Sequence, residues 1–194
     1  MMTFVLASAS PRRRALLEQL GLHFSVVVAD IDETPRDGEP AETLALRLAQ
    51  QKALEVLVRE PEATVLASDT VVVLDGAVLG KPVDEADAAR MLRLLSGKTH
   101  QVLTAVSIVR QDYEDTFLVT TDVTFRSLSE AEIHAYVLSR EPLDKAGAYG
   151  IQGVGGAFVR SIRGSYSAVV GLPLCETVEG LRRAGLTILG DGAA

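Results

Sequence analysis

The amino-acid sequence predicts a mixed α/β fold. Short apolar runs alternate with helix-length segments in the first half of the chain, and two long strand-like segments follow one another in the middle. Alternating strands and helices are typical of parallel pairing, whereas consecutive strands favour antiparallel pairing. The chain has 194 residues, 47% of them hydrophobic, which is enough for one sizeable core. We therefore expect a single domain over residues 1–194, with helices flanking a mixed sheet.

The first elements are a strand, a helix and a second strand. Residues 3–8 form a short apolar run bounded by small residues. The helix that follows has Ser10 as its N-cap, Pro11 in its first position and Gly21 at its end. The stretch "FSVVVAD", residues 24–30, predicts a buried strand that runs into an acidic cluster.

The middle of the chain predicts two helices, a hairpin and two long strands. Apolar residues at helical spacing predict a helix over 40–59. The pair Asp75-Gly76 separates two β-branched runs, and both positions tolerate the positive φ that a two-residue hairpin requires. A second helix is expected over 84–95, followed by strands over 100–110 and 115–127.

The last third predicts two helices around a glycine-rich loop. Ser129 and Glu132 have the spacing of a capping box, which predicts a helix start. Residues 147–156, "GAYGIQGVGG", are glycine-rich and lead into a strand at "AFVRSI". A final helix is expected to open at Pro173.

Charge and composition exclude several classes of function. The net charge of -7 disfavours binding to nucleic acid or to an anionic membrane surface. No basic segment with a long apolar run opens the chain, and no apolar run approaches a bilayer-spanning length, so we expect a cytoplasmic protein. The three histidines lack metal-ligand spacing. The single cysteine, Cys175, is surrounded by apolar residues and is expected to be an inert core thiol.

A basic turn stands out against this acidic background. In "LASASPRRR", Arg12, Arg13 and Arg14 open a helix, where positive charge opposes the helix dipole unless an anion compensates. Helix N–H groups, arginine forks and the hydroxyls of Ser8 and Ser10 together suit phosphate oxygens. The alternative is a solvated basic turn. We favour the anion site for the first two arginines and expect Arg14 to lie on the surface.

Carboxylates follow two of the predicted strands. Asp30, Asp32 and Glu33 come after one predicted strand, and Asp69 is expected at the end of another. Strand ends are where an α/β sheet places ligand-binding groups, and Mg²⁺ bound together with phosphates needs only one or two carboxylates. The first two aspartates are expected to be solvated. Asp69, between "VLAS" and "TVVVL", is harder to explain as a surface residue.

Two lysines could contact an anion. Lys52 falls on the apolar stripe of its helix, so it either extends its ammonium to water or binds a specific group. Lys81 lies in "LGKP", which would otherwise be an ordinary turn. The glycine-rich loop matches neither the P-loop nor the dinucleotide-binding fingerprint, although close backbone approach to a flat ligand is open to it.

Six blocks of the sequence resemble the Maf family of nucleoside triphosphate pyrophosphatases, in family order and over about residues 5–182. The blocks are "LASASPRRRALL", "IDETP", "RLAQQKA", "ASDTVVVLDGAVLGKP", "LSGKTHQVLTAV" and "DKAGAYGIQGVGGAFVRSIRGSYSAVVGLPL". The resemblance implies the fold of the inosine triphosphate pyrophosphatases, with a cleft between two lobes, and a homodimer. It also implies hydrolysis of a nucleoside triphosphate to the monophosphate and pyrophosphate with Mg²⁺ or Mn²⁺.

The resemblance also implies roles for individual residues. Asp69 would be the catalytic acid/base and would hold the metal together with Glu33. The groups implied to contact phosphates are Ser8, Ser10, Arg12, Arg13, Lys52 and Lys81.

Three positions imply the base that is bound. The subgroup resembling dTTP/UTP pyrophosphatases has the arginine, threonine and glutamine found here as Arg12, Thr70 and Gln152. A glutamine amide can both donate to and accept from the edge of uracil or thymine. The alternatives are the sister subgroup that acts on 7-methyl-GTP, and a nucleotide-binding regulator of cell division without catalysis.

Overall fold

The computed structural model describes residues 3–188 and 190. The strands are β1 Thr3–Leu6, β2 Ser25–Val26, β3 Ala63–Leu74, β4 Ala77–Leu79, β5 Thr99–Arg110, β6 Tyr113–Phe125 and β7 Val159–Arg163. The α-helices are α1 Pro11–Gln19, α2 Ala41–Arg59, α3 Glu85–Leu95, α4 Glu130–Leu138, α5 Tyr166–Val170 and α6 Leu174–Arg183. Three short 3₁₀ turns cover Glu141–Asp144, Ala146–Ala148 and Val154–Phe158.

The described strands form one mixed sheet in the order β2-β1-β3-β5-β6-β7, with β4 paired to β3. β1 pairs in parallel with β2 and β3, whereas the pairs β3–β4 and β6–β7 are antiparallel. The predicted mixed α/β class is therefore confirmed. The long strands β3, β5 and β6 carry the chain through the middle of the sheet order, and shorter strands lie at its ends.

The chain divides into two compact units. The first unit comprises the described residues of Met1–Asp69, Thr104–Val119 and Gly171–Ala194, and the second comprises Thr70–Leu103 and Thr120–Val170. The single domain over 1–194 and the cleft between lobes stay predictions.

In the first unit, β1 and β3 pack on α2. Alternate residues of β3, Ala63, Val65 and Ala67, belong to one buried cluster together with Ala53 and Val56 of α2. Alternate strand residues share a face, so this face of β3 packs on the apolar stripe of α2. The next residue of that row is Asp69, and the residue before Ala53 is Lys52. The expectation that Asp69 ends a strand is wrong, because the β-branched run that follows it continues β3 to Leu74.

The second unit has its own core around α3 and α4. Ala88, Met91, Leu92 and Leu95 of α3 recur at helical spacing and are all buried. Aromatic rings pack edge to face in the same core: Phe158 lies 4.9 Å from Tyr136, and Phe125 lies 4.8 Å from Tyr149, between ring centroids. This core supports the glycine-rich loop, because Tyr136 and Tyr149 lie in contact with it or within it.

Local signals in the sequence are confirmed. The Ser10 side chain caps α1 by accepting from the Arg13 N–H, and Ser129 forms a capping box with Glu132. The loop between β3 and β4 is the predicted two-residue turn, with φ of 50° at Asp75 and 79° at Gly76.

Two expectations of burial are wrong. The predicted buried strand at 24–30 is only the two-residue β2, and Val26 and Val28 are 42% and 52% exposed. Among the described strands, β2 lies at the end of the sheet order with β1 as its neighbour, and Val28 lies beyond it in the loop that follows. Cys175 is exposed rather than in the core. It lies in the first turn of α6, and the buried residues Thr177, Gly180 and Leu181 lie on the opposite side of that helix.

Candidate active site

The turn between β1 and α1 joins two serines to Arg13. Ser8 Oγ accepts from the Ser10 N–H at 3.2 Å and from Arg13 Nη1 at 3.3 Å, and Ser10 Oγ accepts from the Arg13 N–H at 3.4 Å. Arg14 instead pairs with Glu18 four residues on, and its side chain is 63% exposed, as expected of a surface residue. The turn thus gathers both predicted serines around one guanidinium.

Arg13 is also tied to the segment that precedes α6. Its Nε donates to the carbonyl oxygen of Gly171 at 2.9 Å, and Ser68 Oγ donates to the same oxygen at 2.9 Å. Gly171 has φ of 134°, a backbone conformation that residues with a Cβ rarely adopt. Sequence reasoning missed Ser68 and Gly171; the signal available was a lone glycine between two apolar runs, "SAVVGLPL".

The acidic loop before α2 contributes one carboxylate to the site. Asp30 and Asp32 are exposed, as expected, and Asp32 Oδ1 accepts from the Thr34 N–H at 2.9 Å. A hydrogen bond from the Thr34 side chain, together with this one from its N–H, lowers the pKa of Asp32. Glu33 is 57% exposed at its side chain, but its Oε1 lies 2.9 Å from Lys52 Nζ. Of the three acidic residues, Glu33 therefore reaches the lysine of α2.

Lys52 holds two carboxylates at once. Its Nζ lies 2.7 Å from Asp69 Oδ1 and 2.9 Å from Glu33 Oε1, and the side chains of Lys52 and Asp69 are only 12% and 11% exposed. The ammonium is therefore directed onto two anions rather than extended to bulk water. Because Asp69 continues the row of β3 that packs on α2, the strand period itself brings the two residues together.

These side chains form a mixed electrostatic environment. Burial of the Arg13 guanidinium lowers its pKa, while the charge of Asp69 opposes that shift and the neighbouring Arg12 adds to it. Arg12, Arg13 and Lys52 against Asp69 and Glu33 give three cations and two carboxylates. These five side chains therefore have a net charge of +1. Such a charge suits a polyanion whose remaining negative charge is neutralised by a bound metal ion.

An arginine that sequence reasoning missed anchors the acidic loop. Arg47 donates to Glu39 through Nε at 2.6 Å and Nη2 at 2.7 Å, and its Nη2 also donates to the Thr34 carbonyl at 3.2 Å. This fork lowers the pKa of Glu39 to about 2. The loop segment that contains Glu33 is therefore fastened to α2 five residues before Lys52. The signal available in the sequence was the position of Arg47, five residues before Lys52 in the same predicted helix.

The other predicted site residues belong to the second unit. Thr70 follows Asp69 in β3 and is half-buried, Lys81 is exposed after β4, and Gln152 is exposed in the turn between Gly150 and Gly153. Their contacts with a nucleotide stay predictions.

The described residues offer two carboxylates, rather than three or more ligands, for a metal ion. In the range 3–188 and at 190, no group of three or more His, Cys, Asp or Glu side chains could hold a metal ion. Asp69 and Glu33 nevertheless place oxygens within 3 Å of one common cation, the Lys52 ammonium. Two carboxylates fit a divalent ion whose remaining ligands are phosphate oxygens and water.

No helix in the described part of the chain is long and apolar enough to cross a membrane.

Comparison with known proteins identifies the family. The model of the "Maf-like protein" family matches residues 3–184. Proteins named dTTP/UTP pyrophosphatase from Shewanella sp. (strain MR-7) and Escherichia coli (strain K12) are 56% and 54% identical, over 95% and 92% of this chain and 100% and 91% of theirs. The Ham1 protein of Staphylococcus aureus shares the fold, with a TM-score of 0.52 at 14% identity over 95% of this chain and all of that one. The chain belongs to the Maf family.

Proposed function

We propose that this chain is a nucleoside triphosphate pyrophosphatase that hydrolyses dTTP and UTP. The observation that carries the proposal is the Lys52 ammonium shared by Asp69 and Glu33, in the same unit as the Arg13 turn. Relatives that bear the name dTTP/UTP pyrophosphatase, at 54–57% identity, support the substrate class. In this reaction, water attacks the α-phosphorus and the bond to the bridging oxygen of the β-phosphate breaks. The products are the nucleoside monophosphate and pyrophosphate.

The cations bind and neutralise the triphosphate. Arg12 and Arg13, with the hydroxyls of Ser8 and Ser10, form the phosphate-binding turn, and donors of this kind are strongest where their geometry is fixed in advance. The Arg13 fork is fixed by Ser8 and by the Gly171 carbonyl. Lys52 and Lys81 neutralise charge that develops on the departing pyrophosphate.

Asp69 orients the attacking water and accepts its proton. Its buried position in the α2-facing row of β3 sets the direction of the carboxylate, and Oδ1 accepts from Lys52 before a substrate arrives. Asp69 and Glu33 would hold Mg²⁺ or Mn²⁺, which supplies charge neutralisation at the phosphate oxygens and lowers the pKa of a bound water.

Thr70 and Gln152 recognise the base. The amide of Gln152 pairs with the O4 and N3–H of uracil or thymine, and Thr70, the residue after Asp69 in β3, adds a hydroxyl. Because such a site tolerates the methyl group of thymine, modified uridine triphosphates such as 5-methyl-UTP are substrates too.

The remaining elements of the proposal concern the cellular context. A net charge of -7 with a local cluster of arginines suits a small anionic substrate better than nucleic acid or a membrane surface. We include in the proposal that the protein acts in the cytoplasm and forms a homodimer.

The test is a panel of triphosphates assayed for pyrophosphate release with and without Mg²⁺. We expect kcat/KM for dTTP, UTP and 5-methyl-UTP to exceed that for 7-methyl-GTP and the canonical purine nucleotides. Faster hydrolysis of 7-methyl-GTP would move the protein to the sister subgroup. Binding of dTTP without pyrophosphate release would favour the regulator of cell division.

A further inference from the structure

The glycine-rich loop is wrapped around one carboxylate. Glu141 Oε1 accepts from the Gly155 N–H at 3.2 Å, and Oε2 accepts from the Val154 N–H at 3.1 Å. Oε1 also accepts from the hydroxyl of Tyr136 at 2.9 Å, and that hydroxyl accepts from the Gly150 N–H at 3.1 Å. Both ends of the segment 150–155 are thereby fastened to one side chain.

The glycines of the segment allow this close approach. A Cβ at Gly153 would overlap the carboxylate of Glu141. A Cβ at Gly155 would come within 2.6 Å of the Tyr136 hydroxyl and 2.8 Å of the Gly150 carbonyl. Real Cβ atoms do not approach other heavy atoms so closely. Gly153 therefore allows the close approach of Glu141, and Gly155 allows that of Tyr136 and Gly150.

Glu141 is itself fixed by its neighbours. Its N–H donates to Ser139 Oγ at 3.2 Å, and its carbonyl accepts from Lys145 Nζ at 2.6 Å. Burial in the aromatic core, together with the nearby Glu141 charge, raises the pKa of Tyr136, so its hydroxyl stays a donor to the carboxylate. The backbone and the side chain of Glu141 are therefore both held in place before a ligand arrives.

The segment that Glu141 holds contains Gln152, the residue that we assign to the base. Gln152 lies between the bonded positions 150 and 154 and is exposed. We propose that Glu141 is a positioning residue that sets the base selectivity of the enzyme by fixing the backbone on either side of Gln152. The inference rests on the proposed function, because it presumes that Gln152 contacts the pyrimidine.

The test is a double-mutant cycle between Glu141→Gln and Gln152→Ala, read as the ratio of kcat/KM for dTTP to kcat/KM for dGTP. The amide of Glu141→Gln keeps the shape but turns one acceptor into a donor that faces a backbone N–H. We expect Glu141→Gln to lower the ratio about 10- to 100-fold, mainly through KM for dTTP, and to leave dGTP turnover unchanged. The double variant should be no less selective than Gln152→Ala alone.

One further variant controls for the loss of charge, and another tests the same contact without changing charge. Glu130→Gln removes a charge from an exposed ion pair with Arg93 in the same unit and should leave the ratio unchanged. Tyr136→Phe keeps the ring in the core but removes the hydroxyl that bridges Glu141 and Gly150, so it should lower the dTTP/dGTP ratio by a smaller factor than Glu141→Gln. It also tests the inference if Glu141→Gln does not fold. Amide hydrogen exchange at 150–155 should accelerate in Tyr136→Phe and not in Glu130→Gln.

Each outcome has one interpretation. An unchanged ratio in folded Glu141→Gln or in Tyr136→Phe overturns the inference, as do additive effects in the cycle. If the wild-type protein does not prefer dTTP to dGTP, the proposed function fails, and the inference fails with it. If Gln152→Ala keeps full selectivity while Glu141→Gln loses it, the base contact lies elsewhere and the inference is wrong in its present form.

Discussion

The charged cluster of the first unit and the glycine-rich loop of the second are held by different kinds of contact. In the cluster, Lys52, Asp69 and Glu33 are joined by ion pairs between side chains, which can be exchanged for contacts to an arriving phosphate or metal. In the loop, backbone N–H groups bind the Glu141 carboxylate across glycines that leave no room for other side chains. The difference teaches that the ion pairs of the cluster can be exchanged when a ligand binds, whereas the backbone around Gln152 is held in one conformation before a ligand binds.

The comparison predicts that damage to the cluster removes chemistry rather than selectivity. We expect Asp69→Asn to reduce kcat about 10²- to 10⁴-fold, because the amide cannot accept a proton from water or support a metal ion. The ratio of kcat/KM for dTTP to that for dGTP should change little. Circular dichroism and thermal melting would check that the variant folds. Near-normal turnover in a folded variant would remove Asp69 from the mechanism.

The role of Lys52 can be separated from that of an ordinary stripe residue. We expect Lys52→Ala, and likewise Lys81→Ala, to lower kcat/KM about 10²- to 10³-fold, as expected for the loss of a group that stabilises developing charge. Lys98→Ala, which removes a half-exposed lysine 3.7 Å from Asp75, serves as the matched control and should be close to wild type. If Lys52→Ala instead lowers the melting temperature with little effect on kcat/KM, Lys52 acts mainly in the packing of its helix.

Acid should weaken the core of the second unit through His100. Its Nε2 bonds to the Tyr149 hydroxyl at 2.9 Å, and burial lowers its pKa from 6.5 to about 4. The folded state therefore resists protonation that the unfolded chain accepts, and stability is lost as the pH falls from 6.5 towards 4, by about 3 kcal/mol in all. Urea unfolding at pH 8 and pH 4 should show a loss of stability that is larger in the wild type than in His100→Gln by this amount. Parallel losses in both proteins would contradict the assignment.

The smallest expected effect concerns the anchor of the acidic loop. Glu39→Gln weakens the fork from Arg47, so we expect a several-fold loss of kcat/KM through the loop that contains Glu33. The pKa of Glu39 lies at about 2, below its ordinary 4.5, so its stabilising effect is present above about pH 4.5 and is lost as the pH falls towards 2. The difference in melting temperature between wild type and variant should therefore vanish at low pH. A difference that keeps its full size at pH 2 would exclude the carboxylate as its source.

Features that depend on neighbours in sequence could be predicted from it. The Ser10 cap, the Asp75-Gly76 hairpin and the capping box at Ser129 each involve residues within three positions of one another. The helical stripe with Lys52 was visible for the same reason. Asp69 was singled out because a carboxylate inside an apolar run has few structural explanations.

Features that depend on distant neighbours could not be predicted. The strand expected over 24–30 stops at Val26 and lies at the end of the sheet order, and its own sequence specifies neither its length nor that place. The bond from Arg13 to the Gly171 carbonyl joins positions 158 residues apart. The fork from Arg47 and the wrapping of the glycine-rich loop around Glu141 likewise appear only when the chain is folded.

The contact of Lys52 with both carboxylates means that the site contains its own counter-ion. In many metal sites the negatively charged ligands repel one another when the ion is absent, and folding depends on the ion. Here the ammonium already pairs with Asp69 and Glu33, so we expect the protein to fold without a metal ion. Divalent metal would then arrive with each nucleotide as part of the substrate, rather than as a permanent component. A chelator would consequently stop turnover without changing the melting temperature, and renewed addition of the ion would restore activity.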